Sequence, residues 1–303
     1  MTQKNTSSLP IEIVGRDEEL ASIRACLQAG RNVLLEGPVG VGKTQLALAV
    51  TRNLGRPVYR VDGDSRYSEQ KLAGWFDPPL VLQKGFGKDT FIPGPLIEAM
   101  TQGGILFINE LNRLPEGVQN ILLPAIDEKL VIVPRYGEVR AKEGFAVIAT
   151  QNPKEFVATT HLSEAILDRF ELVVVGYQGE AEEKQIVTLQ AKGLTQLPPP
   201  DRTRLALASV RLVRATRDHR GIRRGASIRA ALSISEIAAA LIHGGLALEA
   251  AFLRAALLAL PTRIELERDT ENEADPFHQS EKIIREMAKA ALDGAPEGAK
   301  KKA

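Results

Sequence analysis

The chain has 303 residues, 39 of them Lys or Arg and 38 Asp or Glu, for a formal net charge of +1. So even a balance gives no whole-molecule field that would select nucleic acid or an anionic membrane as a partner. The hydrophobic content of 44% is that of a soluble globular protein, long enough here for two domains.

Residues 1–10 read as a short N-terminal extension without the apolar core of a signal peptide, and no stretch reaches the roughly 18 apolar residues of a spanning helix. A cytoplasmic location and no membrane partner are expected. Cys26 is the sole cysteine, which excludes an internal disulfide; in the amphipathic run Leu20–Leu27 it reads as a small buried hydrophobe. The histidines, at 161, 219, 243 and 278, have no spacing that lets two share a metal.

The apolar run Val33-Leu34-Leu35 leads directly into Gly37-Pro-Val-Gly-Val-Gly42-Lys43-Thr44, a complete G-x-x-x-x-G-K-[ST] loop. In such a loop successive N–H groups turn inward to hold phosphate oxygens, and the N-terminus of the following helix, Thr44 to Leu54, adds its partial positive charge. Lys43 is placed to reach the β- and γ-phosphates and Thr44 to hold Mg2+. The expected nucleotide-binding residues are Gly37, Pro38, Val39, Gly40, Val41, Gly42, Lys43, Thr44 and Gln45.

Strand signals at Val33–Glu36, Val58–Asp62, Ile105–Asn109, Phe145–Thr150 and Leu172–Val175 alternate with helical periodicity, which predicts a five-stranded parallel sheet in an α/β core. Each of the first four strands ends at polar residues, so ligand groups gather on the carboxyl edge. Asp62 and Asp64 begin a calcium-loop spacing, but Arg66 and Tyr67 break the pattern of oxygen ligands and leave a solvated turn. Two segments exceed a minimal sheet. Gly74 to Pro95 reads as a β-hairpin inserted around a short helix, and Lys129 to Arg140 as a second hairpin turning near Tyr136-Gly137. Both are expected to project from the core.

Ile105-Leu-Phe-Ile108 followed by Asn109-Glu110 looks like a Walker B element, an apolar strand that delivers polar side chains to the nucleotide. Glu110 is the candidate for polarising the attacking water, since a carboxylate can accept its proton; the alternative is a plain strand end. Asn109 takes a position that usually carries Asp beside Mg2+, and offers an acceptor oxygen without the charge. Asn152, before Pro153, is either an amide aimed at the γ-phosphate or lytic water, or a turn residue. Nothing resembles the Asn-Lys-x-Asp that reads guanine, so ATP is the expected nucleotide.

From Gly176 onward the pattern is helical only, with runs Glu180–Ala191, Arg202–Arg217, Ala226–Ile242 and Leu246–Leu260. Residues 11–176 are thus read as the nucleotide-binding core and 177–265 as a small all-α domain. Residues 266–303 read as a charged tail that includes a possible helix, Ser280 to Leu292, before a poorly ordered Gly/Pro/Lys end.

Taken together, Ile13-Val-Gly-Arg-Asp-Glu-Glu-Leu20, the phosphate loop, Pro93-Gly-Pro95, Asn109-Glu-Leu-Asn-Arg113, Ala149-Thr-Gln-Asn-Pro153, Glu164-Ala-Ile-Leu-Asp-Arg-Phe170 and Gly225-Ala-Ser-Ile-Arg229 resemble the MoxR family of AAA+ ATPases, over roughly residues 11–265. The resemblance implies that the first hairpin marks the helix-2-insert group and that the second precedes sensor 1. It implies that Asn152 is the first sensor, Arg229 a second sensor on the helical lid, and Arg169 an arginine finger for the adjacent subunit. Arg169 paired locally with Asp168 or Glu164, and Arg229 on a solvated helix face, are the competing readings.

A finger given in trans implies a homo-oligomeric ring, most simply a hexamer. The resemblance also implies an ATP-driven chaperone acting on a client protein complex, with a von Willebrand factor A domain protein as partner. Two other functions stay open: a DNA-directed motor of the same insert group, and a regulatory module that hydrolyses slowly because of Asn109. Arg211, Arg214, Arg217, Arg220, Arg223 and Arg224 bear on the first of these. Their spacing suits one helix face in solvent or at a subunit boundary more than a track for DNA.

Overall fold

The computed structural model describes residues 13–152, 162–267 and 276–294. The N-terminal extension, Pro153, His161 and the Gly/Pro/Lys end lie outside the described residues. The chain divides into two compact units, residues 1–177 and 178–303.

In the first unit five strands form one parallel sheet: β1 (Asn32–Glu36), β2 (Val58–Asp62), β3 (Ile105–Asn109), β4 (Ala146–Gln151) and β5 (Phe170–Val174). Their spatial order is β2-β3-β4-β1-β5. Because side chains alternate across a strand, each apolar run feeds two cores. Val33, Leu35, Phe107 and Ile148 face the helices Asp17–Gln28 and Lys43–Asn53, where Ile23, Leu27, Leu46 and Val50 meet them. Leu34, Leu106, Ile108 and Val147 face the other way, onto Leu96, Met100, Leu122 and Ile126. Both faces are covered, as near-continuous apolar strands require. Cys26 is only partly buried at the edge of the first core, since Ile23 and Leu27 take the inward positions of its helix.

Both insertions form where expected but do not simply project. Gly74–Phe76 pairs antiparallel with Phe91–Pro93 around the helix Pro78–Lys84, and Leu130–Val133 pairs with Gly137–Arg140. Alternation explains the difference: Val131, Val133 and Val139 are buried in the second core, while Ile132 between them is 71% exposed. Phe91 ties the two hairpins together, its ring 4.5 Å from that of Tyr136 and 5.1 Å from that of Phe76.

The second unit contains the helices Glu180–Gln190, Pro199–Asp218, Ile228–His243 and Leu248–Ala259 around its own core. Two features depart from the sequence reading. A two-stranded ribbon joins Ile222–Arg224 to Glu265–Leu266, too short to leave a periodic signal. The helix Pro276–Asp293 is part of this unit rather than of a separate tail, because Ile284, Met287 and Ala288 recur at helical spacing and are buried.

The arginine run is largely consumed within this unit. Arg211 reaches Glu180 at 3.3 Å, Arg214 donates to the Gln178 carbonyl at 3.0 Å, and Arg217 donates to Glu183 at 2.7 Å and to the Ala226 carbonyl at 2.9 Å. Arg223 and Arg224 lie 3.5 and 3.8 Å from Glu265.

Candidate active site

The chain leaving β1 crosses toward the far side of the sheet, while β5 closes on the opposite flank of β1. The carboxyl end of β1 is therefore the switch point at which ligands of open α/β sheets sit. The phosphate loop occupies it. Gly40 and Gly42 take positive φ, at 81° and 92°, and a Cβ on Gly37 would stand 2.1 Å from the Val175 carbonyl oxygen, so only glycine lets the loop leave the sheet here. Leu46 N makes the first backbone bond of the next helix, to Gly42 O at 2.9 Å. The N–H groups of Thr44 and Gln45 precede that bond and are among those a helix's first turn does not pair within itself. Lys43 Nζ folds over the same loop, donating to Gly37 O at 2.6 Å and Pro38 O at 2.8 Å. An ammonium held by uncharged carbonyls at the mouth of an anion cradle is placed to exchange them for an anionic oxygen, the stronger charge-assisted acceptor.

Strand β3 brings Asn109 and Glu110 to the same edge. Thr44 Oγ1 donates to Asn109 Oδ1 at 3.0 Å, and Thr150 Oγ1, from β4, donates to the same oxygen at 3.1 Å. Asn109 Nδ2 donates to Asp62 Oδ1 at 3.0 Å. Asp62 is thus a site residue, where sequence alone assigns it to a solvated turn; its place at the end of a strand next to β3 is the signal that could have found it. Its neighbour Asp64 does sit in such a turn, and hydrogen bonds from Arg66 hold its carboxyl down to about 2.

Glu110 has left-handed backbone angles, φ 61° and ψ 58°, unusual for a side chain of its size. Its N–H donates to Thr150 Oγ1 at 2.9 Å, and its carboxylate, still 36% exposed, accepts from Arg113 at 2.8 Å. Left-handed backbone angles and a water-accessible carboxylate thus coincide at one residue beside the phosphate loop. Asn152 follows β4 and is 7% exposed; its main-chain oxygen accepts from Asn112 Nδ2 at 3.4 Å. Since Glu36 pairs with Gln151, Asn152 leaves the sheet beside Gly37.

Thr44 Oγ1 and Asn109 Oδ1 are neutral oxygen donors of the kind Mg2+ takes, and Mg2+ completes its octahedron with water and phosphate rather than with a protein cage. Among the described residues no group of three or more His, Cys, Asp or Glu side chains is arranged to hold a metal. The residues present thus fit Mg2+ carried in with a nucleotide.

Two predicted residues do not join this cluster within the first unit. Arg169 precedes β5 and stands at the amino edge of the sheet, with Nε 2.5 Å from Asp127 Oδ2 and a guanidinium N–H donating to the Ala165 carbonyl. Its ion pair is with Asp127, not with Asp168 or Glu164. Arg229 is exposed in the first turn of the helix Ile228–His243, in the second unit.

Residues 32–170 match the AAA domain (dynein-related subfamily). The chain is 31% identical over 184 residues to the protein SH1500 of Staphylococcus haemolyticus, covering 60% of this chain and 69% of that protein. This chain has the AAA+ fold, with an AAA domain over residues 32–170. It is also 35% identical over 167 residues to the protein YojN of Bacillus subtilis, an alignment that takes in 54% of each; the AAA+ chain therefore spans about half the length of that relative. The structure of a Thermotoga maritima RuvB mutant shares the fold with a TM-score of 0.53 at 16% identity, over 85% of this AAA+ chain and 73% of the other. Among the described residues no helix is long and apolar enough to cross a membrane.

Proposed function

We propose that the chain binds ATP with Mg2+ at the carboxyl edge of the sheet and hydrolyses it. The observation that carries this reading is the meeting, on one phosphate loop, of Lys43, the Thr44–Asn109 oxygen pair, the water-accessible Glu110 and Asn152 from separate strand ends. The loop N–H groups and Lys43 hold the β- and γ-phosphates. Mg2+, when bound through Thr44 and Asn109, neutralises charge on the phosphate oxygens. Glu110 releases Arg113, orients water in line with the γ-phosphorus and accepts its proton, while the Asn152 amide steadies the water or the departing γ-phosphate.

The site is completed in trans. Arg169 lies at the opposite end of the sheet from its own phosphate loop, a strand of five residues away, or roughly 17 Å. That separation supports a role in the site of an adjacent copy, in a ring that we take to be a hexamer. Arg229 fits a second-sensor role, since a cation in the first turn of a helix opposes the helix dipole and gains nothing for the fold. The sequence resemblance over residues 11–265, not the geometry, supports assigning the chain to the MoxR-type chaperones, with a client protein complex and a von Willebrand factor A domain protein as partners. The internal ion pairs of Arg211, Arg214 and Arg217 weigh against a DNA-directed motor.

Steady-state ATP turnover of the purified chain, with Glu110→Gln as reference, tests the reading. Loss of the base is expected to lower turnover by about 10²–10⁴-fold while ATP binding persists. A wild type no faster than Glu110→Gln would make the chain a regulatory nucleotide-binding module. Capture by the ATP-trapped Glu110→Gln ring then identifies the client and shows whether a von Willebrand factor A domain protein comes with it.

A further inference from the structure

Position 109 holds an amide where this type of site ordinarily has an aspartate, yet a carboxylate stands one strand away. Asp62 ends β2, which pairs with β3 so that Asp62 lies opposite Asn109. Asp62 Oδ1 accepts from Asn109 Nδ2 at 3.0 Å. A carboxylate accepts and an amide nitrogen donates, so this contact decides which way round the Asn109 amide sits. Its oxygen is thereby turned to the hydroxyls of Thr44 and Thr150.

The seam between the two strand ends is closed by backbone. Gly63 N donates to Asn109 O at 2.7 Å, and a Cβ on Gly63 would stand 2.0 Å from the Glu110 carbonyl oxygen, which leaves room for glycine alone. Arg60, on the same strand as Asp62, donates to both of its carboxylate oxygens at 2.7 to 3.1 Å and sets their direction. Both side chains are well exposed, so solvent screens that pair.

We propose that Asp62 is a positioning residue for the cation site: from the neighbouring strand it supplies the negative charge that position 109 lacks, and it aims the Asn109 oxygen toward a cation held at Thr44. The proposal rests on the nucleotide reading above. An aspartate at 109 with Asp62 retained would set two carboxylates at hydrogen-bond distance, a repulsive contact. Exchanging the pair, Asp62→Asn with Asn109→Asp, keeps one carboxylate facing one amide and only moves the charge across the seam.

The test uses Asp62→Asn, Asn109→Asp and the double exchange in the full chain. A fluorescent ATP analogue is titrated with Mg2+ and with EDTA, and thermal unfolding is recorded without nucleotide. Removing one charge close to the cation is expected to weaken analogue binding about tenfold in Mg2+ for Asp62→Asn, with affinity in EDTA unchanged. Asn109→Asp should lower the melting temperature of the nucleotide-free chain by about 2–4 °C, and the double exchange should restore both properties. Unchanged Mg2+ dependence in Asp62→Asn, or a double exchange no better than the worse single variant, overturns the proposal. A wild-type chain that binds the analogue in neither condition overturns the nucleotide reading instead, and the melting cycle still reports whether residues 62 and 109 are coupled.

Discussion

Two polar clusters in this chain use the same kinds of side chain to opposite ends. In the helical unit Glu183 is enclosed, its side chain 3% exposed, with Arg217 at 2.7 Å and Arg214 at 3.6 Å, and Arg217 also donates to the Ala226 carbonyl. Charge there is turned inward and paired within the unit. At the mouth of the sheet the polar groups hang from strand ends, Glu110 carries backbone strain, and Lys43 rests on loop carbonyls. The first arrangement holds a fold together, because a buried charge without its partner is costly. The second leaves bonding capacity that a phosphate and a water can take up. Counting arginines does not separate the two, but following each guanidinium to its partner does.

The contrast can be broken from either side. Glu183→Ala leaves guanidinium groups without their buried counter-charge and is expected to destabilise the helical unit by about 3–5 kcal/mol, read by denaturant unfolding. A loss under about 1 kcal/mol would mean that the cluster is solvated and structurally idle. Lys43→Ala should remove charge-assisted bonds to phosphate of about 1.5–3 kcal/mol, roughly a ten- to hundredfold loss of ATP affinity. Its unfolding midpoint should match wild type, and a large stability loss would place Lys43 with the structural cluster. Asp64→Asn should change neither property. The carboxyl of Asp64 is depressed to about 2 by Arg66, so whatever the pair contributes is fully present above the unfolded-state value and is lost only as pH falls through about 2. That contribution is whole at about pH 6 to 8, yet the pair is solvent-exposed and screened, so the unfolding curves of Asp64→Asn and wild type should nearly coincide there, and a clear separation would show that this exposed turn bears on the fold.

Much of the α/β unit is legible in the chain because its signals are local. Buried parallel strands are apolar runs, the phosphate loop is a contiguous motif, and Asn109-Glu110 follows its strand directly. What escapes depends on residues far apart. The Asp62–Asn109 contact joins neighbouring strands 47 residues apart in sequence, and the Arg169–Asp127 pair spans 42. Neither leaves a pattern within a window of either segment. The hairpins are visible in place but read as free-standing, since their alternation shows that one face is apolar without showing what covers it. The helix Pro276–Asp293 is visible as a periodicity, and only packing shows that Ile284, Met287 and Ala288 belong to the core of the helical unit.

Mixing two dead variants tests most directly whether the site is built from two copies. Arg169→Ala keeps its own phosphate loop and Glu110 but lends no cation, whereas Glu110→Gln lends a cation but cannot activate water. Each alone is expected to turn over ATP at least about a hundredfold more slowly than wild type. Mixed in equal amounts and allowed to exchange subunits, they should recover about a quarter of the wild-type rate, since one boundary in four joins a working base to a working finger. A mixture no faster than its parts, or an Arg169→Ala chain that hydrolyses ATP at full speed by itself, would contradict the shared site.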